Sequence, residues 1–289
     1  MEKVLITGAD GFFASRFIDF FSDRYNVIGI SHKDLDITDE KKTMEIVTEI
    51  KPDFLVHAAA ISDTGLCERN SELSFNVNVK GSLNIAKACY KTNAKMIYLS
   101  SDQVYNGNKE TGPYDEISIP IANNVYGKHK LEAEENILQL LDDAVILRLT
   151  WLYGLPERNK KINSNIIWNI IKASLKNQSI KLPANEYRGI TYVYDLLNNF
   201  KEFLKLSGGV YNAGSKNNLS TYEIGEIVFK ELGLEHRIKD LLIKDVETYK
   251  DIKRDLRIHD GKISENNIYF DETKQSIAKC IKEFSFGVL

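Results

Sequence analysis

The stretch that most constrains this chain is Leu5-Ile-Thr-Gly-Ala-Asp-Gly-Phe-Phe-Ala-Ser-Arg-Phe17. An apolar run, Val4-Leu5-Ile6, stops at Thr7, and Gly8, Gly11 and Ala14 follow at intervals of three. Beyond them Phe13, Phe17, Phe20 and Phe21 recur at helical spacing. A strand that breaks at glycine and re-enters as a helix leaves backbone N–H groups free at the helix start, where the helix dipole adds to their pull on an anion. The pyrophosphate of a dinucleotide is the first candidate ligand. The same spacing also fits an ordinary strand-to-helix turn, so the rest of the chain has to decide.

Strand-like runs at 3–7, 26–30, 54–57, 95–99 and 144–148 alternate with helix-like segments at about 12–22, 39–50, 71–92 and 126–141. Asp39 and Glu40 suit a helix start. Such alternation implies a parallel sheet with helices on both faces. Ligands then sit beyond the carboxyl ends of the strands, which directs attention to the residues just after Ile6, Ile30, His57, Leu99 and Leu149. Further on, the pattern predicts a helix over 164–176, a strand near 178–182, a helix within 192–206 and a helix over 221–233 that stops at Gly233. Gly208-Gly-Val-Tyr-Asn-Ala-Gly214 reads as one more strand of the main sheet, while 235–268 is charged and shows no clear period. The expected architecture is α/β: a doubly wound parallel Rossmann sheet with a smaller, interleaved C-terminal substrate-binding domain. Residues 1–155 with about 189–215 form the first part, and about 156–188 with 216–289 the second.

Bulk properties exclude several classes. A formal net charge of −3 over 289 residues gives nucleic acid no general attraction, so any anion site must come from local geometry. Cys67, Cys89 and Cys280 are odd in number and far apart, which fits neither a metal site nor a disulfide framework. A reducing, cytoplasmic compartment is the expectation. The opening Met-Glu-Lys-Val-Leu-Ile-Thr-Gly has too short an apolar run for a signal peptide, and no stretch approaches the roughly 18 apolar residues of a membrane span.

Two segments carry candidate chemistry. Ser100-Ser101-Asp102-Gln103-Val104-Tyr105 follows a buried strand, which puts serine hydroxyls at the ligand edge. Tyr126 and Lys130 are four apart at a helix start, so they share one face. Free tyrosine titrates near about 10 and cannot exchange protons near neutrality. A neighbouring ammonium favours the phenolate and lowers that value, making the pair an acid–base centre. Alone, such a pair also fits a solvated helix face. With the glycine turn and a serine after a later strand, catalysis is the better reading.

Together, Thr7-Gly-Ala-Asp-Gly-Phe-Phe-Ala14, the His57-Ala-Ala-Ala60 run, Ser100-Ser-Asp-Gln-Val-Tyr105 and Tyr126-x-x-x-Lys130 resemble the extended short-chain dehydrogenase/reductase family over roughly residues 1–215. The resemblance implies a cofactor turn at Gly8, Asp10, Gly11, Phe12 and Phe13, with Ala14 in place of a third glycine. It implies a catalytic Ser101 with the Tyr126–Lys130 pair, and Asn78 as the asparagine that helps order the site. Ala58, Ala59 and Ala60 would line the cofactor, their small side chains allowing close approach.

Within that family, Leu35-Asp-Ile-Thr-Asp39, Cys67-Glu68 and Arg148-Leu-Thr-Trp-Leu-Tyr-Gly154 are most similar to the dTDP-4-dehydrorhamnose reductases and their relatives. That similarity implies an oxidoreductase acting on a nucleotide sugar in deoxysugar biosynthesis, with a homodimer as one option. Two departures leave the sugar open. Thr64-Gly65-Leu66 stands where those relatives carry Val-Asp-Lys, and Arg188-Gly-Ile-Thr191 where they carry Gly-x-Pro-Thr. Arg188 instead matches the general sugar-nucleotide epimerases and dehydratases, where an arginine contacts the substrate diphosphate; a surface ion pair is its other reading. Trp151 fits either a stacking residue at the substrate mouth or a core tryptophan, and Asp102 and Gln103 would order substrate hydroxyls.

An NAD site usually carries an acidic residue about 20 residues past the glycines. Ser31, His32 and Lys33 occupy that region here with no carboxylate among them, while the family pattern puts Asp36 and Ile37 beside the adenine. NADPH is therefore the expected cofactor, with NADH tolerated. The expected reaction is reduction of a keto-deoxysugar nucleotide. The alternatives are an epimerase or dehydratase that retains NAD, and a non-catalytic, cofactor-binding regulatory subunit.

Overall fold

The computed structural model describes residues 1–284. Its frame is a sheet of six parallel strands. Five of them, β1 (Lys3–Thr7), β2 (Asn26–Ile30), β3 (Phe54–His57), β4 (Lys95–Ser101) and β5 (Val145–Leu149), lie in the order β5-β4-β3-β1-β2. The strand Gly209–Ala213 joins the same sheet, as the sequence suggests, and pairs with β5 at one edge. Helices cover both faces, so the inner strands are largely apolar; Val4, Leu5 and Ile6 are all buried. On one face α1 (Phe12–Phe21) and the helix Val193–Phe203 interlock through Phe13, Phe17, Phe21 and Phe200, with Phe17 and Phe200 edge to face at 4.9 Å. On the other, α2 (Glu40–Ile50) and the helices Ser82–Thr92 and Val125–Leu140 bury Val47, Ile85, Ala133 and Ile137.

Strand order reverses at β1: the chain moves outward to β2, then crosses back to β3 and β4. A crevice opens at the carboxyl ends where those two directions part. Local chemistry sets the borders of the surrounding elements. The Asp39 carboxylate caps α2 by accepting from the Lys42 N–H at 3.0 Å. Gly233, two residues beyond the helix Thr221–Glu231, adopts φ +68°.

The predicted helix over 71–92 is broken. The chain runs as Ser71–Phe75, then wider π-type turns over Asn76–Gly81, then Ser82–Thr92. The break has a partner: Asn78 Oδ1 accepts from the Ile61 N–H at 2.8 Å and its Nδ2 donates to the Ile61 carbonyl at 3.0 Å. Apolar spacing continues across the interruption, so the sequence reads as one helix. The poorly patterned stretch holds two short strands, Leu242–Asp245 and Arg254–Leu256, paired with Ile180–Pro183 and Glu186–Arg188. A further helix, Thr273–Phe284, follows. Another small pair, Trp151–Tyr153 with Ile190–Tyr192, carries Trp151 toward the crevice side of the sheet. Among the described residues no helix is long and apolar enough to cross a membrane.

Candidate active site

The glycine turn has the shape an anion needs. Gly8 adopts φ +72°, a region that side chains rarely enter, and a Cβ there would stand 3.0 Å from the Ala59 backbone. A Cβ on Gly11 would stand 2.9 Å from the Gly8 carbonyl, whose oxygen accepts the Gly11 N–H at 2.8 Å. Gly11 caps α1 without a side-chain hydrogen bond, and the first N–H bonded back to it is that of Ser15. The N–H groups of Phe12, Phe13 and Ala14 thus head the helix without intrahelical partners. Phe13 itself is buried in the aromatic core, and the Phe12 ring packs under the Arg16 guanidinium at 4.2 Å, so both offer a ligand backbone rather than side chain. Asp10 is exposed beside the turn.

Behind the turn lies a buried polar chain whose direction can be worked out. Thr7 Oγ1 accepts from the Ala58 and Ala59 N–H groups at 3.2 and 3.1 Å, so its own hydrogen goes to His57 Nδ1 at 2.7 Å. His57 Nε2 then carries the proton and donates to Ser82 Oγ at 3.0 Å, and Ser82 donates to the Asn78 carbonyl at 2.7 Å. Burial, with the Lys130 charge adding to it, holds the imidazole neutral down to about 3. One chain of donors thereby fixes the Ala58–Ala60 loop against the Asn78 turn. Sequence reasoning assigned His57 no role; its place directly before the alanines is the signal that was there.

Residues of β4 alternate across the sheet. Ser100 turns inward to the buried Glu134, and Ser101 faces the crevice, where its Oγ meets Asp102 Oδ1 at 3.2 Å. Only one of the two serines is therefore at the ligand edge. Asn124 caps the helix that follows by accepting from the Gly127 N–H at 2.7 Å, which places Tyr126 and Lys130 on the face toward β4.

The electrostatics of that pair differ from the sequence expectation. Lys130 Nζ donates to the Leu99 carbonyl at 2.7 Å and to the Tyr98 hydroxyl at 3.1 Å, and stands 5.9 Å from the Tyr126 ring centroid. Burial, reinforced by the Asp102 carboxylate, pushes the Tyr126 hydroxyl well above its ordinary value, while hydrogen bonding with Ser101 pulls it back in part. Burial also lowers Lys130 to about 7, with Glu134 opposing. The net shift of Tyr126 is thus upward, opposite to the sequence expectation. Desolvation is the largest cause for both groups.

Around the crevice mouth, Arg188 lies 4.6 Å over the Trp151 ring and reaches Asp102 Oδ2 at 3.5 Å. Trp151 is half-buried, packed against the core on one side and under Arg188 on another. Asp102 is buried, and burial raises its carboxyl despite Arg188. Gln103 is tied up within the protein: its Oε1 accepts from Asn124 at 3.0 Å and from Asn106 and Arg254 at 3.3 Å, while its Nε2 donates to Asp102. Arg254, which the sequence did not flag, also donates to Glu186 at 2.9 Å and so faces the same mouth as Arg188.

At the end of β2, His32 and Lys33 are exposed and Ser31 is buried beside Asp34. Asp36 accepts from the N–H and hydroxyl of Thr38 at 2.9 and 2.8 Å. Ile37 is buried in the core, with its carbonyl taken by Asn84 at 3.0 Å, so its side chain packs inward. Among the described residues no cluster of three or more His, Cys, Asp or Glu side chains is placed to hold a metal ion.

The dTDP-4-dehydrorhamnose reductase of Aggregatibacter actinomycetemcomitans is 27% identical over 240 residues, spanning 80% of this chain and 79% of that protein. Methionine adenosyltransferase 2 subunit beta of Xenopus laevis is 29% identical over 237 residues, spanning 77% and 70%. The crystal structure of dTDP-4-dehydrorhamnose reductase from Bacillus anthracis in complex with NADP shares the fold, with a TM-score of 0.87 at 23% identity over 98% of this chain and 99% of that one. The model of the RmlD substrate binding domain matches residues 1–283. The chain belongs to the RmlD substrate-binding domain family.

Proposed function

We propose that this protein is an NADPH-preferring reductase that converts the C4 ketone of a deoxysugar nucleotide into a hydroxyl. The observation that carries the proposal is the meeting of Ser101, Tyr126 and Lys130 at the carboxyl edge of the sheet, across from the glycine turn. The dTDP-4-dehydrorhamnose reductase among the named relatives supports the substrate class.

The residues present suit a dinucleotide. The Gly8–Gly11 cradle, which a Cβ at either position would fill, and the N–H groups of Phe12, Phe13 and Ala14 would hold its pyrophosphate. Ala58, Ala59 and Ala60 would flank it, Lys130 would contact the nicotinamide ribose, and Lys33 and His32 would favour a 2′-phosphate. When bound, the nicotinamide supplies hydride to the carbonyl carbon. Tyr126, held protonated by its surroundings, is the proton donor to the carbonyl oxygen. Ser101 donates a hydrogen bond to the same oxygen as negative charge develops on it. Lys130 titrates near neutrality, and its ammonium form favours the phenolate that remains. Asn78, held at both ends of its amide, fixes the turn beneath the site.

A dehydratase usually needs two acids after the catalytic serine. Here Asp102 is followed by Gln103, whose amide is already bonded at both ends. That pairing favours the reductase. Arg188 and Arg254 at the mouth suit a substrate diphosphate, and Trp151 a base or sugar ring. We assign residues 1–155 with about 189–215 to the cofactor part and about 156–188 with 216–284 to the substrate part; residues 285–289 lie outside the described residues.

The experiment is the kinetics of Arg188→Ala. Losing a charged hydrogen bond of about 1.5–3 kcal/mol is expected to raise the KM for a nucleotide sugar by roughly tenfold or more, with the KM for NADPH nearly unchanged. An unaltered sugar KM would show that Arg188 serves only its contacts with Trp151 and Asp102.

A further inference from the structure

The Tyr98 hydroxyl, buried behind the catalytic pair, accepts from Lys130 Nζ at 3.1 Å. Its ring lies 4.4 Å from Nζ and stacks on the His57 imidazole, with centroids 5.7 Å apart. Burial holds the hydroxyl well above its ordinary range, so it stays neutral and keeps one hydrogen. The direction of that hydrogen follows from Ser82, with which the hydroxyl is also hydrogen bonded. Ser82 spends its own hydrogen on the Asn78 carbonyl at 2.7 Å and one lone pair on the His57 Nε2–H at 3.0 Å. What Ser82 has left is a second lone pair, which accepts from Tyr98. The Tyr98 oxygen therefore turns lone pairs, and not its hydrogen, toward Lys130.

Resting on the part given to Lys130 in the reduction above, we propose that Tyr98 is a positioning residue that keeps Lys130 in its ammonium form. An ammonium has three hydrogens to place, whereas a neutral amine has a lone pair that needs a donor. The hydrogen-bond partners of Nζ among the described residues, the Leu99 carbonyl at 2.7 Å and Tyr98, are both acceptors, which favours the charged form. The titratable groups that face Lys130 are His57 on β3, Tyr98 on β4, Cys67 on the helix Thr64–Arg69, and Tyr126 and Glu134 on its own helix. His57 stays neutral, and burial raises Cys67, Tyr98 and Tyr126. Glu134 is the one carboxylate among them, and Arg148 already grips it. Glu134 and the two acceptors thus oppose the desolvation of Lys130, and Tyr98 is the one of them whose direction can be reversed. The chain of donors that sets this direction begins at Thr7, the last residue of β1.

The test is the titration of Lys130 in the cofactor-free protein, read from the carbon-13 shift of its ε carbon in lysine-labelled protein and assigned with Lys130→Arg. Tyr98→Phe keeps the ring and removes the acceptor, and the midpoint is expected to fall by about one pH unit from a parent value of about 7. Ser82→Ala leaves the Tyr98 oxygen in place but frees its hydrogen to turn toward Nζ, and a smaller fall in the same direction is expected. In the Tyr98→Phe background, Ser82→Ala is expected to add nothing. The second readout is the pH profile of NADPH-dependent reduction. Its alkaline limb is expected to move down with the midpoint in Tyr98→Phe, lowering the rate near pH 8 about tenfold while rates on the acid plateau stay within about twofold. A purely structural role would lower the rate alike at every pH. Midpoints within about 0.3 of the parent, in whichever of Tyr98→Phe and Ser82→Ala is folded by its melting curve, overturn the inference. So does a Ser82→Ala shift that persists without the Tyr98 hydroxyl. A parent and variants that titrate as expected but reduce no keto sugar overturn the functional reading and leave the role of Tyr98 standing.

Discussion

Replacing Tyr126 by phenylalanine is expected to abolish turnover of a keto sugar while cofactor affinity stays close to that of the parent. The change removes one oxygen. The ring, only 8% exposed, keeps its place beneath the crevice. Burial and the Asp102 charge hold that hydroxyl in its protonated form, the form a reduction draws on. Ser101 itself donates to Asp102 Oδ1 and accepts the Gln103 N–H, both at 3.2 Å, so the proton is expected from Tyr126. General acid catalysis typically contributes about 10²–10⁴-fold, and kcat is expected to fall by that order. Single-turnover kinetics with saturating NADPH measure this directly. A variant that reduces the substrate at the parent rate would remove Tyr126 from the mechanism.

The largest expected effect on stability lies two turns further along the same helix. Arg148 on β5 grips Glu134 through Nε and Nη2, at 3.0 and 2.6 Å from Oε2, and both residues are at least 95% buried. Ser100 donates to the other carboxylate oxygen, and Arg148 Nη1 donates to the Tyr105 hydroxyl at 2.7 Å. Tyr105 in turn reaches the Asp115 carbonyl at 3.0 Å. The network fastens the catalytic helix to β4, β5 and the loop beyond Ser101. Arg148→Met leaves a buried carboxylate without its cation, at a cost of about 3–5 kcal/mol. Against a total stability of about 5–15 kcal/mol for a typical domain, that is a large fraction. The paired replacement Arg148→Met with Glu134→Leu is expected to recover much of the loss, because no charge is then stranded. Urea unfolding midpoints of the two variants measure the difference. Equal midpoints for Arg148→Met and the parent would mean that the pair contributes little to holding the helix.

The cofactor half is legible in the sequence because its chemistry is local. Gly8 and Gly11 stand where only a small residue fits, and Tyr126 and Lys130 are brought together by one turn of helix. The strand at Gly209–Ala213 is legible from its run of residues alone, and it joins the main sheet as expected, beside β5. Other features depend on neighbours distant in the chain. Arg254 reaches the mouth because Arg254–Leu256 pairs with Glu186–Arg188, a three-residue match that no periodicity reveals. The π-type turns at Asn76–Gly81 exist to serve Ile61, and the apolar pattern runs straight through them. The titration of Tyr126 and Lys130 follows burial, which a spacing of four residues does not contain. Ser31 and Asp34 are neighbours in sequence, but their bond appears only once the turn after β2 is built.

The central claim is net reduction with Tyr126 as proton donor, and the stoichiometry of cofactor and sugar tests it most directly. Purified protein, NADPH and a nucleotide-linked 4-keto-6-deoxysugar are mixed, and the absorbance of the reduced nicotinamide is followed alongside the sugar product. The expected result is one NADPH oxidised for each ketone converted to a hydroxyl, with exchangeable cofactor. Sugar conversion with no net loss of NADPH, or tight binding of both ligands with no conversion of any keto sugar, would contradict it.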